Sequence, residues 1–317
     1  MTDRPPIPLI ILGGTDHTAS QLPPSGKDKH PLVGYKGLDL RINGRCLVDV
    51  LVDRMVQSEA FAPIIIAGPS EVYKQAGIKT MVVDTDGTFG DNIRAGIKSL
   101  RAHYPHGPIA VTTIDILPKV EEVHALLEDY YANEPHDVWF PSILVPEGYE
   151  EQSAFAWKPQ YRIAPSAGEE PRLILPGHLM IIDPDSLRLD FMVRLFQIAY
   201  RTRNKPIEYR KGYMIRQLIW GLLAGDVRNI FRLRLPNLTW SVIRAGVASA
   251  KGLKSGTVTR QELEGWSRQI FVKTRHRKKY PDRGVSLPQM HALSLAEDID
   301  TEEEAKARGA VRKLVQG

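Results

Sequence analysis

The chain of 317 residues has little of what marks several large classes of protein. Its single cysteine, Cys46, excludes a disulfide framework and a multi-cysteine metal site. No apolar run approaches the roughly 18 to 20 residues that cross a membrane. Residues Met1–Pro6 show no basic segment leading into an apolar one, so we expect no secretory signal. These absences predict a cytoplasmic protein.

The glycine-rich signatures of phosphate-binding loops are also missing, because neither GxxxxGK[ST] nor GxGxxG occurs. The hydrophobic fraction of 43% and the charged fraction of 25% are typical of a globular protein. The net charge of +5 is modest and is concentrated after Arg188. The length suits one large domain, or a core domain with a sizeable insertion.

The central feature of the sequence is the apolar, β-branched run Ile109–Pro118, which predicts a buried strand. The predicted strand ends at Asp115, which places this carboxylate at the sheet edge where ligands of open α/β sheets bind. A carboxylate there suits a divalent metal that carries a nucleotide. Alternatively, Asp115 caps the helix that begins shortly after Pro118.

Strands and helices alternate through residue 131, which predicts a mostly parallel sheet with helices on both faces. Two glycines, Gly13 and Gly14, end the first strand and allow the backbone to approach a flat or anionic ligand. Asn43-Gly44 predicts a tight hairpin turn. The predicted strands are Ile7–Leu12, Ile64–Gly68 and Thr80–Val83, and the predicted helices are Leu47–Val56 and a helix from Asp91.

Several motifs, taken together and in order, carry a resemblance to a known family. They are Leu12-Gly13-Gly14, Lys36, Asn43-Gly44-Arg45, Phe89-Gly90-Asp91-Asn92-Ile93, Thr113-Ile114-Asp115 and the later Glu297-Asp298-Ile299-Asp300-Thr301 segment. In this series the sequence resembles the nucleotidyltransferases with a GT-A type, Rossmann-like fold. It is most similar to the group around molybdenum-cofactor guanylyltransferase (the MobA-like NTP transferases). The resemblance covers residues 7–145 well, 172–190 plausibly and 290–308 by motif alone.

The resemblance implies a site for Mg²⁺ and a nucleoside triphosphate. Asp115 and Asp298 would hold the metal, and Lys36 would contact the α-phosphate or the leaving group. Leu12, Gly13, Gly14, Thr15, Gly90 and Asn92 would contact the nucleotide, together with Lys36 and Asp115.

Each assignment has an ordinary alternative. Lys36 lies between two glycines, as a solvated loop lysine does. Asn92 suits a helix cap, and the acids around Asp298 suit a helix N-terminus.

The first loop departs from the family pattern Gly-Gly-x-Gly-x-Arg, because Thr15-Asp16-His17 stands there and the arginine is missing. Lys27 or Lys29 would have to replace that positive charge. The missing arginine would affect phosphate binding and activity more than the fold.

The second half begins with two short apolar strands around Pro176-Gly177-His178, and His178 is the predicted acceptor-binding residue. From Leu187 to Val272 the pattern becomes helical, with arginine and aromatic residues interleaved. Examples of the predicted helices are Phe191–Tyr200, Tyr213–Leu223, Phe231–Leu235 and Trp240–Val247. These helices would dock a phosphorylated acceptor, keep their cationic ends in solvent, or contact an anionic membrane surface. We therefore predict a nucleotidyltransferase core at residues 1–186, a helical insertion at 187–285 and a return segment at 286–317.

The sharpest run of charge is Lys273–Arg283. No nucleic-acid motif accompanies it, and we expect no specific nucleic acid as a partner. An exposed surface loop is the first interpretation. A second hypothesis is that this run folds over the nucleotide phosphates and replaces the missing arginine.

The sequence thus predicts Mg²⁺-dependent transfer of a nucleoside monophosphate from an NTP to a small phosphorylated acceptor. One alternative is a GT-A glycosyltransferase that uses a nucleotide-sugar, since Asp84-Thr-Asp86 and Asp298-Ile-Asp300 both match Asp-x-Asp. A non-catalytic nucleotide-binding or scaffold protein is the other. The base, the acceptor and the oligomeric state stay open.

Overall fold

The computed structural model describes residues 4–15, 22, 24–158, 160–201, 244, 247 and 258–315. Seven strands form the central sheet in the order β12-β7-β11-β6-β1-β4-β5. Six of them run in one direction, and β11 alone is antiparallel to both of its neighbours. Their bounds are β1 Ile7–Leu12, β4 Phe61–Gly68, β5 Met81–Asp84, β6 Ile109–Thr113, β7 His136–Trp139, β11 Leu179–Ile182 and β12 Gly284–Ser286.

Helices cover both faces of this sheet because apolar side chains of the central strands alternate between the faces. In β1, Leu9 and Ile11 belong to one buried cluster, and Ile10 and Leu12 belong to the other. The helices are α1 Lys36–Asp39, α2 Leu47–Gln57, α3 Ser70–Gln75, α4 Phe89–Arg101, α5 Val120–Ala132, α6 Tyr149–Gln152, α7 Leu189–Arg201, α8 Arg260–Phe271, α9 Thr274–Lys279 and α10 Glu302–Val315.

The predicted α/β class is confirmed, with a mostly parallel sheet flanked by helices. The predicted strands and helices of the first half agree with the structure to within about three residues. The predicted hairpin is β2 Arg41–Ile42 with β3 Arg45–Cys46. Asn43 and Gly44 have φ angles of 51° and 82° at its turn, which is the conformation that Asn-Gly favours.

A second, smaller sheet has the order β13-β8-β10-β9. Its strands are β8 Ser142–Leu144, β9 Tyr161–Ile163, β10 Arg172–Pro176 and β13 Gln289–Met290. The two strands predicted around Pro176-Gly177-His178 are therefore present, as β10 and β11. They belong to different sheets, so the turn that holds His178 joins the small sheet to the central one.

The helical character predicted from Leu187 to Val272 is seen in α7 and α8. The other predicted helices, at 213–223, 231–235 and 240–247, lie outside the described residues apart from 244 and 247. Among the described residues, no helix has both the length and the apolar content needed to cross a membrane. The division at 186 and 285 stays a prediction.

Candidate active site

Asp115 lies in the turn directly after β6, at the edge of the sheet where the parallel strands end. Helix α5 has Lys119 as its N-cap residue, so Asp115 does not cap it. The backbone carbonyl of Asp115 accepts a 2.5 Å hydrogen bond from the amide of Ile299. This bond brings the segment before α10 against the end of β6.

The carboxylates of Asp115, Asp298 and Asp300 converge at this edge. Each offers one oxygen atom, and these three atoms all lie within 4.8 Å of one another. The Oδ1 atom of Asp115 is buried and has no hydrogen-bond partner. Carboxylate oxygens are the ligands that Mg²⁺ prefers, so this donor set fits that ion.

Lys36 is the first residue of α1, and its ammonium group points into this cluster. Its Nζ atom lies 2.5 Å from Asp300 Oδ1 and 3.6 Å from Asp115 Oδ2. The side chain is 13% exposed. Lys36 is therefore an ion-paired residue of the site, and it is not a solvated loop lysine.

A second lysine, Lys158, also lies in the cluster. Its Nζ atom lies 2.8 Å from Asp298 Oδ1, 3.0 Å from Asp300 Oδ2 and 3.6 Å from Glu304 Oε2. It also donates to the backbone carbonyl of Asp298. Burial disfavours the ammonium ion, but the three carboxylates outweigh burial and raise the pKa of Lys158. Lys158 thus stays charged in the site.

The pKa values of Asp298 and Asp300, the two aspartates on either side of Ile299, are shifted in opposite directions. Burial and the adjacent carboxylates of Asp300 and Asp115 raise the pKa of Asp298, against the attraction of Lys158. For Asp300 burial acts the same way, yet the ammonium groups of Lys158 and Lys36 prevail and lower its pKa to about 2. The two lysines therefore hold Asp300 in its ionised form, whereas Asp298 takes up a proton more readily than an ordinary aspartate.

Glu304, in the first turn of α10, holds the Asp298–Asp300 segment in place. Its Oε2 atom accepts hydrogen bonds from the amides of Asp300 (2.7 Å) and Thr301 (3.2 Å). Its Oε1 atom accepts a 2.8 Å bond from Trp157 Nε1. In return, Thr301 Oγ1 accepts a hydrogen bond from the Glu304 amide, and the two reciprocal bonds form a capping box. The helix start and the Lys158 loop are thereby joined.

His178 lies on the same edge, in the turn before β11. Its Nε2 atom is 4.0 Å from Asp298 Oδ1, and its Nδ1 atom is 3.3 Å from Thr113 Oγ1. The backbone fixes the turn, since the His178 amide donates to Leu295 and its carbonyl accepts from Thr112 Oγ1. The structure thus brings His178 to the carboxylate cluster, as an acceptor-binding role would require.

Different contacts explain why positions 13 and 14, after β1, are both glycine. A Cβ atom on Gly13 would lie 2.4 Å from the hydroxyl of Tyr73, which itself donates to the Gly13 carbonyl. A Cβ atom on Gly14 would lie 2.9 Å from Asn92 Nδ2. Packing against Tyr73 therefore requires a glycine at position 13, whereas Gly14 keeps the backbone close to the amide of Asn92. The nucleotide contacts of both glycines stay predictions.

Asn92 is 2% exposed and does not cap α4. Thr88 is the N-cap residue, and Asp91 completes its capping box. The Asn92 Oδ1 atom accepts a 3.0 Å hydrogen bond from Thr85. The side-chain amide nitrogen of Asn92 faces Gly14. A contact between Asn92 and a nucleotide stays a prediction.

Three further predicted nucleotide contacts have different surroundings. Leu12 is the last residue of β1 and is 6% exposed. Thr15 follows the glycines and is half-buried. Gly90 is buried beneath α7, because a Cβ atom there would lie 2.4 Å from Val193 Cγ1. The packing against α7 accounts for this glycine, and the structure does not bring Gly90 together with the carboxylates.

The basic run differs from both interpretations made from the sequence. Residues Thr274–Lys279 form helix α9, so the prediction of a loop is wrong there. The run contacts Asp137 at the start of β7 and Asp183 beyond the end of β11. Both lie at the opposite edge of the sheet from Asp115, so the run does not cover the candidate site. Lys29 pairs with Glu303, 3.3 Å away, beside the start of α10.

Sequence reasoning missed two residues of the cluster, Asp300 and Lys158. For Asp300 a signal was present, because Asp298-Ile-Asp300 places two carboxylates around an apolar residue that is fully buried. For Lys158 the sequence offered none, since a lysine after Trp157 is marked by neither periodicity nor spacing. Its place depends on a contact with a segment about 140 residues away.

No family model matches the sequence, and no curated protein matches it. Among solved structures, a hypothetical transferase from Thermus thermophilus has a TM-score of 0.51 and 16% identity, covering 94% of this chain and 99% of that one. At such an identity the likeness shows the fold alone. The comparisons do not confirm membership of the molybdenum-cofactor guanylyltransferase-like group.

Two other similar structures are named nucleotide-using enzymes. The CMP:2-keto-3-deoxy-manno-octonic acid synthetase complexed with CTP has a TM-score of 0.47 and 11% identity, covering 98% of each chain. The 4-diphosphocytidyl-2C-methyl-D-erythritol synthase from Anaerococcus prevotii has a TM-score of 0.44 and 10% identity, covering 97% of this chain and 98% of that one. Scores below 0.5 support no inference about this chain.

Proposed function

We propose that the protein is a Mg²⁺-dependent nucleotidyltransferase that moves a nucleoside monophosphate from an NTP to a small phosphorylated acceptor. In this reaction an acceptor phosphate oxygen attacks the α-phosphorus of the NTP. The bond between the α-phosphorus and its bridging oxygen to the β-phosphate breaks, and pyrophosphate leaves. The demand on the protein is to align two polyanions and to neutralise their charge.

One observation carries the proposal. Asp115, Asp298 and Asp300 offer oxygen atoms within 4.8 Å of one another at the sheet edge where the glycine loop of β1 also ends. Lys36 and Lys158 are bound to the same carboxylates. Carboxylates with two lysines beside them are the groups that a metal nucleotide needs. Folding alone does not require so many buried charges at one point.

The residues divide the work by their positions. Asp115, Asp298 and Asp300 would hold Mg²⁺, which when bound neutralises the charge on the triphosphate. Lys36 would contact the α-phosphate or the departing pyrophosphate. Lys158 and His178, on the side of the small sheet, would contact the acceptor phosphate. Gly14 and Asn92 would line the nucleotide site.

The test is pyrophosphate release from each of the four NTPs, with pooled sugar-phosphate, polyol-phosphate and phospho-acid acceptors, with and without Mg²⁺. We expect metal-dependent release with one NTP. The Asp115→Asn variant should lose about 10²–10³ in rate, the usual effect of removing a group that stabilises transition-state charge.

Asp84→Asn is the matched control, because Asp84 also ends a parallel strand at this edge but accepts a hydrogen bond from the Ser70 amide instead of joining the cluster. Its rate should stay within about twofold of the wild type, since a neutral amide still accepts that bond. Equal losses in the two variants, or release that is independent of metal, would contradict the proposal.

A glycosyltransferase is the second candidate, and one observation favours it. Asp298-Ile-Asp300 is an Asp-x-Asp sequence with both carboxylates in the cluster. Asp84 of the other such sequence lies elsewhere, on edge strand β5. Release of UDP or GDP from a nucleotide-sugar, with no pyrophosphate from any NTP, would select this function. If neither reaction occurs and no nucleotide binds, the scaffold alternative stands.

A further inference from the structure

One short segment of the protein has a dense positive charge. Residues Lys273–Arg283 contain six lysines and arginines against one acid, Asp282. A net charge of +5 within 11 residues indicates a local electrostatic role.

Two side chains of this segment lie against acids of the central sheet. His276 Nε2 lies 2.9 Å from Oδ1 of the fully buried Asp137, and Arg283 Nε lies 3.1 Å from the same oxygen. Arg283 also lies 2.8 Å from Asp183 Oδ2. His276 thus attaches helix α9 to the sheet, and Arg283 attaches the segment that follows it.

Some of these cations surround a hollow of about 490 Å³. Lys273, Arg275 and Lys279 line it and are exposed. Within the described part of the chain, none of the three forms an ion pair with a carboxylate. The ammonium group of Lys273 donates to the backbone carbonyl of Asp185, at 2.8 Å.

The acids at the hollow already have cationic partners. Asp183 pairs with Arg283, and Asp185 lies 3.5 Å from Arg101. The hollow therefore presents uncompensated positive charge on a concave surface. It lies at the start of β6 and the end of β11, while Asp115 follows the far end of β6. A five-residue strand separates the two by roughly 15 Å.

We propose that this hollow binds a small ligand that carries two or more adjacent phosphate groups. Its volume falls within the roughly 300–1,000 Å³ of small-ligand sites. The planar guanidinium of Arg275 suits two phosphate oxygens at once, and the ammonium groups of Lys273 and Lys279 supply point charges beside it. This site is separate from the proposed nucleotidyl transfer and does not depend on it.

The test is a calorimetric titration of the protein with inorganic pyrophosphate. EDTA is present so that no metal assists binding. Lys278→Gln is the matched control, because Lys278 neighbours Lys279 on α9 and is exposed but does not line the hollow. We expect Arg275→Gln and Lys279→Gln each to weaken binding roughly tenfold, the effect of losing one charge-assisted hydrogen bond. Lys278→Gln should change it less than about twofold.

Absence of saturable binding to the wild type would overturn the proposal. Equal weakening by Lys278→Gln and Lys279→Gln would also overturn it, since that result means diffuse surface charge. Phosphatidylglycerol vesicles provide the second arm and distinguish the source of the phosphate. If the vesicles bind the protein and pyrophosphate does not, the basic face contacts lipid headgroups and the small-ligand site is wrong. Thermal unfolding of each variant checks that the fold is kept.

Discussion

The amide of Ile299 donates a 2.5 Å hydrogen bond to the backbone carbonyl of Asp115. Because Ile299 stands between Asp298 and Asp300, this single bond fixes both carboxylates relative to the end of β6. Ile299 is itself fully buried, so its apolar side chain anchors the segment in the core beneath the site. The candidate site therefore depends on a contact between the middle and the end of the chain.

Replacing Lys158 should show how strongly the carboxylates depend on it. Its side chain is 9% exposed and is bound to three acids. Lys158→Met removes the lysine from Asp298 and Glu304 and leaves Asp300 with Lys36 alone, so we expect the free energy of unfolding in EDTA to fall by about 3 kcal/mol or more. Millimolar Mg²⁺ should stabilise this variant more than the wild type, because the ion replaces the missing positive charge. Urea unfolding with and without Mg²⁺ measures both effects.

Lys119→Met is the control for the Lys158 experiment. Lys119 also pairs with a glutamate, but its side chain is 58% exposed. Its loss should cost no more than about 1 kcal/mol and should not alter the effect of Mg²⁺. If Mg²⁺ stabilises Lys158→Met and the wild type equally, Lys158 does not compensate the charge of a metal site.

Glu304 and Glu303 provide a matched pair for the capping network. Glu304 is 1% exposed and accepts three hydrogen bonds, whereas the Glu303 side chain is 72% exposed. Glu304→Ala leaves buried donors without partners, so we expect a loss of at least about 2 kcal/mol of unfolding free energy. Glu303→Ala should change it by less than about 0.5 kcal/mol. Similar losses in the two variants would show that the capping box does not hold the segment.

Most of the fold follows from local patterns, and the site follows only in part. The β-branched run before Asp115 predicts strand β6, and Asn43-Gly44 predicts the hairpin turn between β2 and β3. Lys158 has no such mark, because its role arises from tertiary contacts that periodicity does not encode. Helix α9 was missed for a related reason, since the partner of His276 is the distant Asp137 and not a residue of its own segment.

Gly13 gives a test of packing near the site. A Cβ atom there would lie 2.4 Å from Tyr73 Oη and 2.7 Å from Ile66 Cγ2, so Gly13→Ala should cost about 1–3 kcal/mol. In a double-mutant cycle with Tyr73→Phe, the pair should cost less than the sum of the two single changes, because removing the hydroxyl relieves the nearest contact. Gly265→Ala is the control, since a Cβ atom there meets nothing and α8 should gain stability slightly. Strict additivity would exclude the Tyr73 contact as the cause.

The cap of α8 should make a pH-dependent contribution to stability. Glu262 Oε2 accepts hydrogen bonds from the Thr259 amide (3.0 Å) and hydroxyl (2.8 Å), which lowers the pKa of Glu262 below its ordinary value of 4.5. Because the folded state favours the ionised form, the stabilisation is complete above the unfolded pKa and disappears as the pH falls through the lowered value. Wild type should therefore exceed Glu262→Gln in unfolding free energy at pH 7, and the difference should shrink under acid conditions. Urea unfolding across this pH range, with the exposed Glu128→Gln variant of α5 as the control, measures the trend. A difference that stays constant with pH would mean that the amide caps the helix as well as the carboxylate does.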